Sequence, residues 1–202
     1  MDFQLEIETF RGNKVEHSSE YSKWHRRFLQ MAALVATWSK DPSTKVGAVA
    51  VHPATHRVIS VGYNGFPTGI EDTQDRLQQR DLKYNIILHA EENLILTANK
   101  SIAGAAIYTW PFLPCSLCAS RLIQAGASAV FAPVMDPSLA ERWDTSVRLS
   151  KSLFDEAGVY GGTVGVAMDY IVTPLSDLTK AASGPSTPPY DMGHVLIPGA
   201  PY

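Results

Sequence analysis

His89-Ala90-Glu91 and Pro114-Cys115-Ser116-Leu117-Cys118 hold both cysteines of the chain and its only histidine set two places before a glutamate. Two cysteines at C-x-x-C spacing on one helical turn can offer both sulfurs to a single ion, because residues three apart share a helix face. His89 supplies a third ligand. A tetrahedral ion then keeps its fourth position for water, which is the arrangement of a catalytic rather than a structural zinc. Glu91 is left free to handle protons. On a regular helix residues two apart point about 200° away from each other, so His89 and Glu91 can serve one metal only at the irregular first turn of a helix. The sequence places them there.

A C-x-x-C pair alone could be a redox couple or half of a zinc finger. A four-ligand structural zinc would need a further candidate. There is no third cysteine, and His17, His25, His52, His56 and His194 form no paired motif. The ordered set H-x-E followed by P-C-x-x-C is the signature of the zinc nucleobase deaminases, and the chain resembles that superfamily through it.

Length and composition set the bounds. With 202 residues and 45% hydrophobic content, the chain can bury one substantial core, and a single domain over residues 20–172 is expected between an N-terminal extension (1–19) and a Pro/Gly-containing C-terminal extension (173–202). A formal charge of -3 with 18% charged residues argues against stable nucleic-acid binding, which needs a basic face. A small phosphate-bearing ligand needs only a local donor cluster. Because both cysteines are assigned as thiolate ligands, no disulfide framework remains, and a reducing compartment is favoured. The N-terminus lacks the basic and apolar regions of a signal peptide, and no apolar run reaches the roughly 18 residues of a membrane span. A soluble, cytoplasmic protein is expected.

Periodicity gives the elements. From about Ser19, residues Trp24, Phe28, Met31, Val35 and Trp38 recur at steps of four and three, one apolar stripe of a helix that packs on a sheet. Asp41-Pro42 stops that helix. Val46–Val51 reads as a buried strand and residues 57–64 as its antiparallel partner, followed by a polar, partly helical loop over 70–85 that covers a pocket. His89 opens a helix to about Asn99, Ala106–Thr109 forms a third strand, and Pro114 starts a second site helix that Gly126 ends. Ala129–Ala132 is a fourth strand, Ser138–Ala157 a further helix, and Val164–Val172 a fifth strand. Strands alternating with helices predict a three-layer α/β/α sandwich with a mixed five-stranded sheet.

Beyond the zinc signature, the chain resembles deoxycytidylate (dCMP) deaminases over roughly residues 21–160, in the segments Ser39–Ala48 (SKDPSTKVGA), Gly62–Pro67 (GYNGFP), Lys83-Tyr84, His89–Asn93 (HAEEN), Leu122–Gly126 (LIQAG), and Leu153-Phe154 with Ala157–Val159. The resemblance implies the cytidine deaminase-like fold. It also implies hydrolysis of dCMP to dUMP and ammonia by a zinc-activated water, feeding dTMP synthesis, with Glu91 as the proton carrier between water, N3 and the leaving amine. It further implies that Asn64 holds the nucleotide sugar, although a turn asparagine reads equally naturally there. Gly47 and Ala48 offer a close backbone approach to the base or, alternatively, sheet packing. Ser43 and Lys45 are the candidate phosphate donors, and Ala90 and Pro114, beside the ligands, complete the candidate substrate wall.

Three features depart from the family pattern: the longer approach Thr109–Pro114, a 70–84 loop without the cysteine of a second zinc site, and the C-terminal extension. Whether control by dCTP and dTTP, common in the family, extends to this chain is left open by these departures. Two other substrate readings stay open, a different cytosine nucleotide (dCTP or a modified dCMP) and tRNA or single-stranded nucleic acid. A zinc-stabilised interaction module is the non-enzymatic alternative. Family members are typically homo-oligomers, often hexamers. Crowding of Ile107, Tyr108, Trp110, Phe112 and Leu113 is expected to create a shared subunit surface, with the 70–84 segment near a neighbour's pocket or lining its own.

Overall fold

Alternate residues of the central strands divide the core into two halves. In β3 (Gly47–Val51), Val49 and Val51 pack with Phe28, Leu29, Ala32 and Val35 of α1 (Ser19–Ala36), whereas Ala48 and Ala50 pack with Ala90 and Leu94 of α4 (Ala90–Thr97). The same period of two runs through β5 (Ala106–Trp110), where Tyr108 faces α1 and Ile107 the other side, and through β6 (Ala129–Pro133), with Phe131 and Val130. The second face is covered by α4, α5 (Ser116–Gln124) and α6 (Pro137–Glu156), so the three layers of the expected α/β/α sandwich are present in this computed structural model, which describes residues 5–165.

Among the described residues the sheet has seven strands, not five, in the order β2 (Lys14–His17), β1 (Leu5–Thr9), β7 (Tyr160–Val164), β6, β5, β3 and β4 (Val58–Tyr63). It is mixed as expected: β5-β6 and β6-β7 are parallel, and the remaining neighbours antiparallel. The extra strands are β1 (Leu5–Thr9) and β2 (Lys14–His17), a hairpin within the segment read as an extension. Ile7 pairs with Val164 of β7 (Tyr160–Val164) and is fully buried, so the hairpin contributes to the core. The strand that follows α6 starts at Tyr160, ahead of the expected Val164, because Gly161-Gly162 masks the β pattern. Most of the span expected for it, and the C-terminal extension, lie outside the described residues.

Elsewhere the expected elements stand close to their expected bounds: β4 is Val58–Tyr63, and the 70–85 loop contains α2 (Gln74–Gln78) and α3 (Arg80–Ile86). In α1 the apolar stripe holds up to Val35. Trp38, beyond the helix end, is half exposed and packs edge-on against Tyr63 at 6.0 Å. The apolar cluster expected to form a subunit surface is instead interior: Ile107, Tyr108, Phe112 and Leu113 are all buried.

Two glycines set how closely the helices approach. A Cβ on Gly47 would lie 2.1 Å from Ala32 O in α1, and one on Gly62 would lie 2.2 Å from Ala90 O and 2.4 Å from Leu94 N in α4. No rotamer change relieves a clash with backbone, so only glycine fits either strand position.

On the α1 side of the sheet, His25 is buried with Nδ1 3.0 Å from Tyr108 Oη and with Nε2 lacking a hydrogen-bond partner among the described residues. Burial, followed by the neighbouring His17, lowers its pKa from 6.5 to about 4. A histidine depressed in the folded state takes up a proton on unfolding between those values, so its contribution is complete above pH 6.5 and disappears as pH falls towards 4. The shift corresponds to about 3 kcal/mol. Urea unfolding should therefore show stability falling between pH 6.5 and 4.5, and His25→Gln should flatten that slope by up to about one proton. An unchanged slope would show that His25 does not carry it.

Candidate active site

His89 and Cys115 occupy equivalent places: each is the extended residue capping a helix, α4 and α5 respectively, at the same end of the sheet. Cys118 follows one turn into α5, which brings Cys115 Sγ and Cys118 Sγ to 3.5 and 3.4 Å from His89 Nδ1. All three donor atoms lie within 4.8 Å of one another. A tetrahedral zinc with bonds of about 2.3 Å to sulfur and 2.0–2.1 Å to nitrogen separates those donors by roughly 3.6 Å. The observed separations fit.

Electrostatics points the same way. The Cys115 thiol is drawn down to about 4, first by its hydrogen bond with Cys118 and then by His89, which outweigh its burial. The Cys118 thiol is pushed up, because two adjacent buried sulfurs cannot both carry negative charge without a cation. A divalent ion removes that conflict, so two thiolates and an imidazole suit zinc. His89 is itself raised by the Cys115 contact, despite its burial.

Glu91 sits two residues along, in the first turn of α4, and is 3% exposed. Burial, with the Cys115 charge second, raises its pKa above the usual carboxylate range. A carboxyl raised in this way is suited to accept a proton and return it.

In front of these groups lies a cleft. It is lined by Asp41, Ser43, Thr44, Val46 and Asn64, by Lys83, Tyr84 and Ile87, and by Phe112 with Arg142 and Trp143 of α6. Phe112 packs against Trp143 with ring centres 5.1 Å apart and planes tilted by 34°, so the long approach Thr109–Pro114 contributes an aromatic wall. Among the substrate candidates, Ser43, Asn64 and Ala90 line this cleft, whereas Lys45, Gly47, Ala48 and Pro114 do not. Lys45 is exposed. The missing side chain of Gly47 makes room for α1, and Ala48 is packed in the core. The 70–84 segment and its continuation line the cleft of their own chain through Lys83 and Tyr84.

Asn64 is committed to bracing. Its Nδ2 donates to Thr44 O at 2.9 Å and to Asp41 Oδ2 at 3.3 Å, and its Oδ1 accepts from Val46 N at 2.8 Å. Both amide protons are therefore used, and only a lone pair on Oδ1 remains for a sugar. Asp41 is the hub of this network: its Oδ1 accepts from Ser43 N at 2.7 Å and from Lys83 Nζ at 3.0 Å. Lys83, 3% exposed, also donates to Ser43 Oγ at 3.0 Å. Neither the Asp41–Lys83 pair nor Arg142 was legible as a site element beforehand. Lys83 belongs to a family segment without an assigned role, and nothing in the sequence marks Arg142 within its helix.

A helix-capping histidine and a helix-capping cysteine that converge on one ion, with a buried glutamate beside them, define a metal-dependent hydrolase of the α/β class. The sequence profile described as "Cytidine and deoxycytidylate deaminase zinc-binding region" matches residues 22–133. An uncharacterized deaminase in the luxG 3' region of Aliivibrio fischeri is 46% identical over 138 residues, covering 68% of this chain and 91% of that protein. The human deoxycytidylate deaminase is 36% identical over 150 residues, covering 69% and 79%. The crystal structure of the dCMP deaminase from cyanophage S-TIM5 in complex with dCMP and dUMP aligns with a TM-score of 0.53 at 21% identity, covering 71% of this chain and 96% of that one, a likeness of fold. The chain belongs to the zinc-binding cytidine and deoxycytidylate deaminase family.

Metal content should follow the ligands. Elemental analysis of purified protein should give about one zinc per chain, falling to near zero in His89→Ala and Cys115→Ala. Lys83→Met, which leaves Asp41 buried without its cation, should lower unfolding free energy by about 3–5 kcal/mol. In a double-mutant cycle, adding Asp41→Asn should cost much less than it does alone.

Proposed function

We propose that the chain catalyses hydrolytic deamination of dCMP to dUMP and ammonia. The observation that carries this reading is Glu91: buried, raised in pKa, and placed within the first turn that also carries a metal ligand. His89, Cys115 and Cys118 would hold the zinc, which when bound supplies a Lewis acid able to lower the pKa of water to about 7. Glu91 accepts a proton from the attacking water and delivers it to N3 of the cytosine ring, then takes the proton of the new C4 hydroxyl and passes it to the departing amine. Its burial keeps competing water from the carboxyl. Phe112 and Trp143 give the planar base an apolar slot, and the Asp41–Lys83–Asn64 network keeps the polar wall rigid. Relatives named deoxycytidylate deaminase support dCMP over other cytosine compounds.

The described residues contain no helix long and apolar enough to cross a membrane. The thiolate ligands suit a reducing compartment, which supports the cytoplasm. A homo-oligomer is also proposed, now supported not by the buried cluster around Ile107 but by Leu96 on α4 and Leu117 on α5, which are 66% and 60% exposed. Light scattering at micromolar concentration should return a multiple of the chain mass, and a fully active monomer would sink this part.

Ammonia release from dCMP, dCTP, deoxycytidine and cytosine tests the assignment, with dCMP expected to turn over most efficiently. Faster turnover of any other compound would overturn it. Glu91→Gln should keep zinc and fold while losing at least about 10²–10⁴-fold in kcat. An unaffected rate would remove Glu91 from the reaction, whereas no ammonia release from any of the four compounds would favour an interaction module.

A further inference from the structure

Two of the three metal ligands belong to the first turn of α5, and that turn has no cap of its own. The first N–H groups of a helix find no partner within it, and the residue in front normally turns a side-chain oxygen onto one of them. In α5 that place is held by Cys115, whose sulfur lies 3.5 Å from His89 Nδ1 and makes no capping hydrogen bond. The acceptor comes from another helix. Ser116 N donates to Ser146 Oγ of α6 at 3.0 Å, and the two hydroxyls meet at 3.2 Å.

The docking of α6 delivers Ser146 to this point. Trp143, three residues earlier, packs against Phe112, and the adjoining Val147 is buried in the core with Ala119 and Leu122 of α5. One turn further on, on the same face, Ser150 is fully buried and its Oγ lacks a hydrogen-bond partner among the described residues. Of these two serines, only the one that meets the start of α5 is engaged. Ser146 also lies outside residues 22–133, the segment matched by the family profile.

We infer that Ser146 is a positioning residue for the metal centre: it supplies the missing cap of α5 and holds the first turn in the form in which Cys115 and Cys118 share an ion. The inference rests on the reading of His89, Cys115 and Cys118 as a zinc site and is independent of which nucleotide is deaminated. Helix ends fray. A site that is formed for only part of the time binds its ion more weakly in proportion to that fraction, so a cap that keeps the turn formed strengthens binding without touching the metal.

The test measures the zinc dissociation constant by competition with a chromogenic chelator, together with hydrogen exchange in the zinc-free protein. Ser146→Ala should weaken zinc binding by about 10–100-fold, the scale of a lost partner behind a metal ligand. The amides of residues 116–118 should exchange faster in that variant. Its KM for dCMP should be unchanged, and its lost kcat should return when zinc is supplied in excess. Ser146→Thr, which keeps the hydroxyl, should retain most of the affinity. Ser150→Ala should leave zinc binding unchanged, which separates the cap from a general loosening of α6. Ser116→Pro deletes the N–H itself, and Cys115, extended at φ -65° and ψ 165°, accepts a following proline. In that background Ser146→Ala should have no further effect. If Ser146→Ala binds zinc as tightly as the wild type, or Ser150→Ala weakens it as much, the inference fails while the zinc site stands. If the wild-type protein binds no zinc, both fall.

Discussion

At Gly62 the backbone of β4 comes so near the first turn of α4 that a single methyl group there would overlap Ala90 O. That contact holds the start of the helix against the sheet, and on either side of Ala90 stand His89, whose ring is placed to share an ion with the two cysteines, and the buried carboxyl of Glu91. The corresponding approach at Gly47 seats α1 on the opposite face. With both helices pressed on it, the central sheet becomes a rigid plate whose edge carries the helix N-termini. Positive ends of helix dipoles favour the thiolate at Cys115, and the chemistry is assembled from groups that the backbone itself positions.

Two parts of the cleft wall are held differently. On the metal side the sulfurs and imidazole need an ion to settle their charges, since the protein alone stabilises one thiolate at the expense of the other. The polar part is complete without a ligand: Asp41, Ser43, Asn64 and Lys83 satisfy one another through a buried ion pair and its hydrogen bonds. Such a network costs desolvation and returns little net stability, but it fixes geometry, because each member loses several contacts if it moves.

How much was legible in the sequence follows from how local each signal is. The metal triad and Glu91 could be read because each half lies within a few residues at a helix start, and chemistry limits which side chains can bind zinc. β3, β4, β5 and β6 could be read from their apolar runs. The pairing of Ile7 with Val164 could not, since it joins segments more than 150 residues apart and one partner strand contains Gly161-Gly162. Gly47 showed a need for close approach but not its direction, and the structure shows that it faces α1. The Asp41–Lys83 pair and the arrival of Arg142 at the cleft depend on how α3 and α6 dock, which periodicity does not specify. The apolar residues around Ile107 are hydrophobic because they are core, and no subunit surface is needed to account for them.

The central claim is that one ion is held by three protein ligands, with the fourth position turned towards Glu91. Diffraction from crystals of the zinc-loaded protein, measured on both sides of the zinc absorption edge, tests it directly. The account predicts a single anomalous peak at about 2.3 Å from both Cys115 Sγ and Cys118 Sγ and about 2.0–2.1 Å from His89 Nδ1, with a solvent oxygen as fourth ligand within hydrogen-bond reach of Glu91. A fourth protein ligand closing the site, or a peak away from these residues, would contradict it.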